Sequence, residues 1–234
     1  MTVTALVSGG KDSIYAAYLA ETQGWPIDEL VTVRPDDPDS LLFHTPNLDL
    51  VALQAAAWGR RHRTVRARGS GEAAELDALA EAIAGAGGPI VTGAIASSFQ
   101  WSRIVRLADR AGRWVYAPLW RRPADRVVRE EIAAGLEIVL VHLAADPLPA
   151  AWVGSRLDGP RLEELGRISD GGRRMNVAGE GGEYETLVVD APFFASRLEI
   201  DDQRTVVTGS TARLDISNAH LKRKERPSPA GPAG

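Results

Sequence analysis

Two short stretches of this sequence combine residue types suited to chemistry. The first is Ser8-Gly9-Gly10-Lys11-Asp12-Ser13. Two glycines let a backbone approach an anion closely, and amide hydrogens at a helix start point at it. Ser8 and Ser13 add hydroxyl donors, Lys11 adds a compact positive charge, and Asp12 is placed to hold a magnesium ion or to cap the helix. The spacing excludes a Walker A loop, because Ala5 stands where that loop needs glycine and Asp12 where it needs Ser or Thr. The second stretch is Gly179-Glu180-Gly181-Gly182-Glu183-Tyr184-Glu185-Thr186. It holds three carboxylates within six residues, a cluster that repels itself unless it meets cations. A plain solvated acidic loop is the other reading, but such a loop has no need of the glycines or the aromatic ring.

Composition sharpens the first stretch. Of 27 basic residues only Lys11, Lys222 and Lys224 are lysines, so the body of the chain writes every other positive charge as arginine. The two side chains are not interchangeable, and position 11 therefore reads as a site that requires an ammonium. The net charge of −4 gives no global footprint for nucleic acid. The absence of cysteine removes disulfides, thiolate metal ligands and thiol nucleophiles together. The opening Met1-Thr2-Val3-Thr4 lacks a basic leader, and no stretch is long and apolar enough for a membrane span. A cytoplasmic protein with no membrane contact is the expectation.

The elements that must position these stretches alternate. Strand patterns at 3–7, 29–33, 64–66, 90–92 and 114–116 are separated by helix patterns at 13–23, 47–60 (with Asn47 as its cap), 72–86 and 98–111. Such alternation implies a mostly parallel α/β sheet with helices on both faces, which binds ligands beyond the carboxyl ends of its strands. That rule points to the loops at Ser8, Arg34 and Gly93. From residue 118 the texture changes, with helices at 123–134 and 160–168 and strands at 137–142, 186–189, 197–200, 205–208 and 211–216. The expected organisation is a nucleotide-binding domain over 1–117, a smaller α+β acceptor domain over 118–221 and a disordered tail over 222–234. Trp114, Trp120 and Trp152 read as core or interface residues.

Serine-Gly-Gly-x-Asp-Ser directly after a first strand resembles the loop of the PP-loop ATP pyrophosphatases. The runs Phe43-His44-Thr45-Pro46-Asn47, Gly93-Ala94-Ile95-Ala96-Ser97, Gln100 with Arg103, Pro118-Leu119-Trp120 and Glu180 to Thr186 are similar to the diphthine–ammonia ligase (diphthamide synthetase) family within that superfamily. The similarity runs from Ser8 to about Leu221. It departs at Arg121-Arg122-Pro123, where a glutamine is expected, and at Asn176-Val177-Ala178, where an Asn-Pro pair is common.

The resemblance implies an adenine nucleotide alpha-hydrolase-like fold. It also implies an ATP- and magnesium-dependent ligase that adenylates the carboxylate of diphthine on translation elongation factor 2 and lets ammonia displace AMP. Ser8, Gly9, Gly10, Lys11, Asp12 and Ser13 would grip the pyrophosphate, with Gly93 and Ala94 against the adenosine. Lys11, Asp12 and Arg103 would act in catalysis, Asp12 as the metal ligand and Arg103 neutralising phosphate. His44, Ser97, Gln100, Glu180, Gly181, Gly182, Glu183, Tyr184, Glu185 and Thr186 would meet the acceptor, whose quaternary ammonium suits carboxylates beside an aromatic ring. The partners implied are the elongation factor and ammonium, with no direct nucleic acid; a homodimer is compatible with the sequence. A ligase for a different small carboxylate, or a non-catalytic nucleotide-binding regulator, remains the alternative.

Overall fold

The computed structural model describes residues 1–36, 47–144, 148–171 and 175–225. The first five strands are β1 (Val3–Leu6), β2 (Ile27–Arg34), β3 (Arg61–Arg66), β4 (Ile90–Val91) and β5 (Val115–Tyr116). They form one parallel sheet in the order β3-β2-β1-β4-β5. The helices α1 (Lys11–Thr22), α2 (Val51–Trp58), α3 (Glu72–Ala84) and α4 (Ser98–Arg110) supply the crossovers.

Alternating residues along each strand feed two different cores. Val3, Ala5, Leu30 and Val91 face α1 and α2, whereas Val31, Val33 and Ile90 face α3 and α4 through Leu79, Ile83, Ile104 and Ala108. A parallel sheet covered on both faces is the arrangement the alternation of elements predicts. Strand order reverses direction between β1 and β4, so the crevice beyond their carboxyl ends lies between the turn after β1 and the loop after β4.

The rest of the chain adds α5 (Ala124–Ala133), β6 (Glu137–Ala144), α6 (Gly159–Asp170), β7 (Tyr184–Asp190), β8 (Ser196–Thr208) and β9 (Thr211–Arg223). These four strands form an antiparallel sheet in the order β7-β6-β9-β8. Its inner face packs on α1 and α2. Leu140, Leu187, Phe194 and Leu214 belong to the same buried cluster as Ile14, Val51 and Trp58. One continuous apolar layer thus joins the two sheets, and the edge strand β7 comes to lie beside the turn after β1.

The structure changes four local expectations. The strands expected at 197–200 and 205–208 are one strand, β8, kinked by register shifts around Asp202. Asn47 does not cap a helix. It lies in the left-handed region, leads into a 3-10 turn ahead of α2, and its amide bridges Leu214 O and Ile216 N. Residues 222–224 are ordered rather than tail, because β9 runs to Arg223 and Lys224 is held through its backbone N–H to Ala195 O and its ammonium to Asp190; residues 226–234 lie outside the described residues. Trp114 is 79% exposed rather than core, whereas Trp120 stacks on Trp101 with centroids 4.7 Å apart. Among the described residues no helix is long and apolar enough to cross a membrane.

Candidate active site

The turn after β1 owes its shape to a left-handed Gly9 (φ +84°) and to contacts from three other elements. Ser13 Oγ accepts from Ser8 N and donates to Gly10 O, closing the turn on itself. Gln54, buried on α2, donates to both Gly9 O and Val188 O at 2.8 Å, and Val188 N donates to Gly9 O. Lys11 N donates to Thr186 Oγ1 of β7. A Cβ on Gly93 would stand 2.6 Å from the backbone at Asp12 and Ser13, so the loop after β4 is pressed against the start of α1. The cap of α1 is Gly10, which supplies no side-chain acceptor of its own; the first helical amide, Lys11 N, is met instead by Thr186 of β7.

Two cavities open on this point. One, of ≈140 Å³, is walled mainly by apolar side chains from the strands and from α3 and α4, among them Leu6, Val31, Val33, Leu79 and Ile104, with Gly93 and Ala94 at its edge. The other, of ≈380 Å³, is walled by polar and glycine positions: Gly10, Lys11, Ser97, Ala178 to Gly182 and Tyr184 to Thr186. Ser8, Asp12, Gln100 and Glu180 line both. An apolar slot meets a polar chamber across one four-residue wall beside a helix N-terminus.

The residues singled out from the sequence divide into those that reach this wall and those that do not. Ser8, Asp12, Ser13, Gly93, Ala94, Gln100 and Glu180 line the slot; Gly10, Lys11, Ser97, Gly181, Gly182, Tyr184, Glu185 and Thr186 line the chamber. Gly9 lines neither and serves the turn's attachment to α2 and β7. His44 lies outside the described residues. Arg103 is turned away. It pairs with Glu72, donates to Phe99 O and covers the Phe99 ring, so it does not line the slot or the chamber. Glu183 also departs from expectation: its two oxygens accept from Asn176 N at 2.7 Å and Gly181 N at 2.8 Å, which makes it the staple of its own loop.

Lys11 differs most from its sequence reading. Its side chain is 1% exposed, and its three N–H bonds go to Asp12 Oδ1, Asp12 Oδ2 and Ala178 O. The ammonium lies 5.5 Å from the centre of the Tyr184 ring, whose hydroxyl donates to Val177 O. Burial alone pulls this ammonium toward its neutral form. Asp12 foremost, with Tyr184 and Glu131, outweighs that and holds it above the ordinary lysine value. So Lys11 clasps the turn to the glutamate-rich loop, and Asp12 spends its carboxylate on that clasp. The Asp12 carboxylate pairs with Lys11, and among the described residues no three His, Cys, Asp or Glu side chains converge.

Glu180 bridges the two loops from the other side, its Oε2 accepting from Ala96 N and Ser97 N at the start of α4. Glu185 lies 3.9 Å from His142 Nδ1. Two buried polar residues escaped the sequence reading. Gln54 and Glu131 sit in helix patterns where one polar position among apolar ones looks like a solvent-facing residue, yet both are wholly buried.

Residues 1–114 match the family model described as the diphthamide synthase N-terminal domain, and residues 124–221 the one described as its C-terminal domain. Curated relatives carry the name diphthine–ammonia ligase. That of Rattus norvegicus is 32% identical over 259 residues, covering 96% of this chain and 94% of the relative. That of Homo sapiens is 31% identical, covering 93% and 89%. The Schizosaccharomyces pombe relative is 26% identical, and the alignment covers 88% of this chain but 37% of that protein.

Proposed function

Because the chain belongs to the diphthamide synthase family, we propose that it is an ATP-dependent ligase that converts the diphthine carboxylate of translation elongation factor 2 to its amide. The observation that carries this reading is the shared wall. A nucleotide whose base fills the apolar slot has its phosphates at the α1 N-terminus, and an acceptor in the polar chamber reaches the same four residues.

The reaction proceeds in two balanced steps. A carboxylate oxygen of the acceptor bonds to the α-phosphorus of ATP, the bond to the β-phosphate oxygen breaks, and pyrophosphate leaves. Ammonia then adds to the acyl carbon, AMP leaves with its bonding electrons, and one proton is released. Catalysis of this kind is positioning and charge stabilisation rather than proton relay. The α1 amides and the Ser8 hydroxyl bind the phosphates. Glu180 and Glu185 face the acceptor's cationic group, and Tyr184 gives the chamber an aromatic wall. Lys11 acts from behind, its charge held against Asp12. Magnesium, which the family's use of ATP implies, travels as the nucleotide's counter-ion rather than in a protein cage. The expected two-domain division near residue 118 and a cytoplasmic location belong to the same reading.

The test is incubation with ATP, ammonium and diphthine-bearing elongation factor 2. AMP and pyrophosphate should form in equal amounts, each dependent on the acceptor, with one carboxylate on the factor replaced by an amide in its mass spectrum. ADP as the product, or AMP release indifferent to the acceptor, overturns the proposal.

A further inference from the structure

His142 of β6 stands beside the chamber without lining it. β6 carries one extra residue, Val141, between Leu140, which lies opposite Thr186 of β7, and His142, which lies opposite Glu185. A bulge of this kind re-aims the side chain that follows it, and bulges are over-represented next to active sites. With regular pairing His142 would stand opposite Tyr184, which is buried; the extra residue brings it opposite Glu185 instead. Directly opposite on its other flank is Arg213 of β9, whose guanidinium is taken by Asp215. The ring's Nδ1 is sealed from solvent and meets no hydrogen-bond partner among the described residues, although the side chain as a whole is a quarter exposed. The carboxylate beside it is that of Glu185, with Oε1 at 3.9 Å. That is about 1 Å beyond a hydrogen bond, a gap that a small rotation of the Glu185 side chain closes. A buried ring nitrogen left unmet is costly, and Glu185 is placed to meet it.

We propose that His142 is a positioning residue for the acceptor: its Nδ1–H donates to Glu185 Oε1 and holds that carboxylate toward the chamber, where the acceptor's cationic group enters. This rests on the reading of the chamber as the acceptor's site. A glutamate that must be ordered as its ligand arrives gives up rotamer freedom at that moment, and the loss is subtracted from the affinity. One held beforehand by a ring on a neighbouring strand has already given it up. Nδ1 carries its proton in this contact whether the ring is neutral or cationic, so the arrangement does not depend on the charge of His142. The bulge, the sealed nitrogen and the cross-strand register then have one explanation in common.

The test compares His142→Asn, whose amide N–H falls near the place of Nδ1, with His142→Leu, which has no donor. The Leu variant should raise KM for the diphthine-bearing factor about 10-fold, the upper scale for ordering one side chain on binding. The Asn variant should stay within about 3-fold of wild type, and kcat and KM for ATP should hold within about 3-fold in both. In a Glu185→Ala background, His142→Leu should change KM for the factor less than about 2-fold, because its partner is already gone. An equal rise in the Asn and Leu variants, an unchanged KM in the Leu variant, or a full further rise in the Glu185→Ala background overturns the proposal. Nitrogen-15 spectra of the histidine rings need neither turnover nor a His142 variant. Nδ1 of His142 should carry a proton in the wild type, and its resonance should move in Glu185→Ala; an Nδ1 without a proton, or a resonance indifferent to Glu185, overturns the proposal. If wild type forms no AMP with the factor, the ligase reading falls, and these spectra decide for or against the His142 contact alone.

Discussion

The two cavities are built by opposite means. The slot is lined by strand and helix side chains whose pattern is that of any α/β core, so nothing in Val33 or Leu79 distinguishes a ligand wall from packing. The chamber is lined by loops, with glycines that allow close approach and carboxylates that resist burial without cations. The two meet at Ser8, Asp12, Gln100 and Glu180, and the loops on either side are tied by Lys11 and by Glu180. The lesson is that the clasp, more than either wall, holds the site in shape.

Removing the clasp gives the largest effect. Lys11→Ala leaves the Asp12 carboxylate without its cation and strips Ala178 O of its donor. Breaking a buried pair typically costs 3–5 kcal/mol, and because Asp12 is partly exposed we expect about 3 kcal/mol, the low end. For a chain of this size that is roughly 6–12 °C of melting temperature. AMP formation should fall by at least about 10²-fold, since slot and chamber lose their common wall. Calorimetric melting and product assays check both. A variant that melts like wild type contradicts the clasp, whatever its activity.

This outcome also marks how far the sequence was legible. That position 11 demands an ammonium could be read from an arginine-rich composition. What the ammonium touches could not, because Ala178 O, 167 residues away in the chain, reaches it only when the segment before β7 docks on α1. The parallel sheet was legible because strand and helix periods alternate cleanly through residue 116. The β8–β9 ribbon was not. Beyond Ile200 the β8 half of it has no buried residue, so Asp201-Asp202-Gln203-Arg204 carries no apolar alternation and reads as a break. Arg103 shares a helical register with Gln100, but its guanidinium pairs with Glu72 on α3 and does not line the slot, a tertiary contact no helical spacing reveals.

A smaller perturbation separates the cavities. Ala94 stands at the edge of the slot and does not line the chamber. Ala94→Leu adds three methyl or methine carbons to a space of ≈140 Å³ and should weaken binding of a non-hydrolysable ATP analogue about 10–100-fold. That corresponds to about 1.4–2.8 kcal/mol. The melting temperature should fall by no more than about 4 °C, since the new side chain enters space that is already open. Isothermal titration is the measurement. Undiminished binding would mean that the base does not use this slot.

The finest contrast lies within the glutamate-rich loop, between residues two apart. Glu183, in the loop just before β7, turns back to accept from Asn176 N and Gly181 N, whereas Glu185, on the strand itself, lines the chamber. Glu183→Gln keeps one oxygen to accept an amide hydrogen but sets its own NH2 against the other. That costs about 1–3 kcal/mol by the usual penalty for an unmet donor and should appear as a lower melting temperature with acceptor KM little changed. Glu185→Gln leaves the loop's internal bonds intact and removes a charge beside the chamber, so melting should hold while KM for the diphthine-bearing factor rises. The pair is diagnostic because the two changes are chemically the same. If Glu183→Gln moved KM and Glu185→Gln moved melting, the assignment of staple and acceptor carboxylate would have to be exchanged.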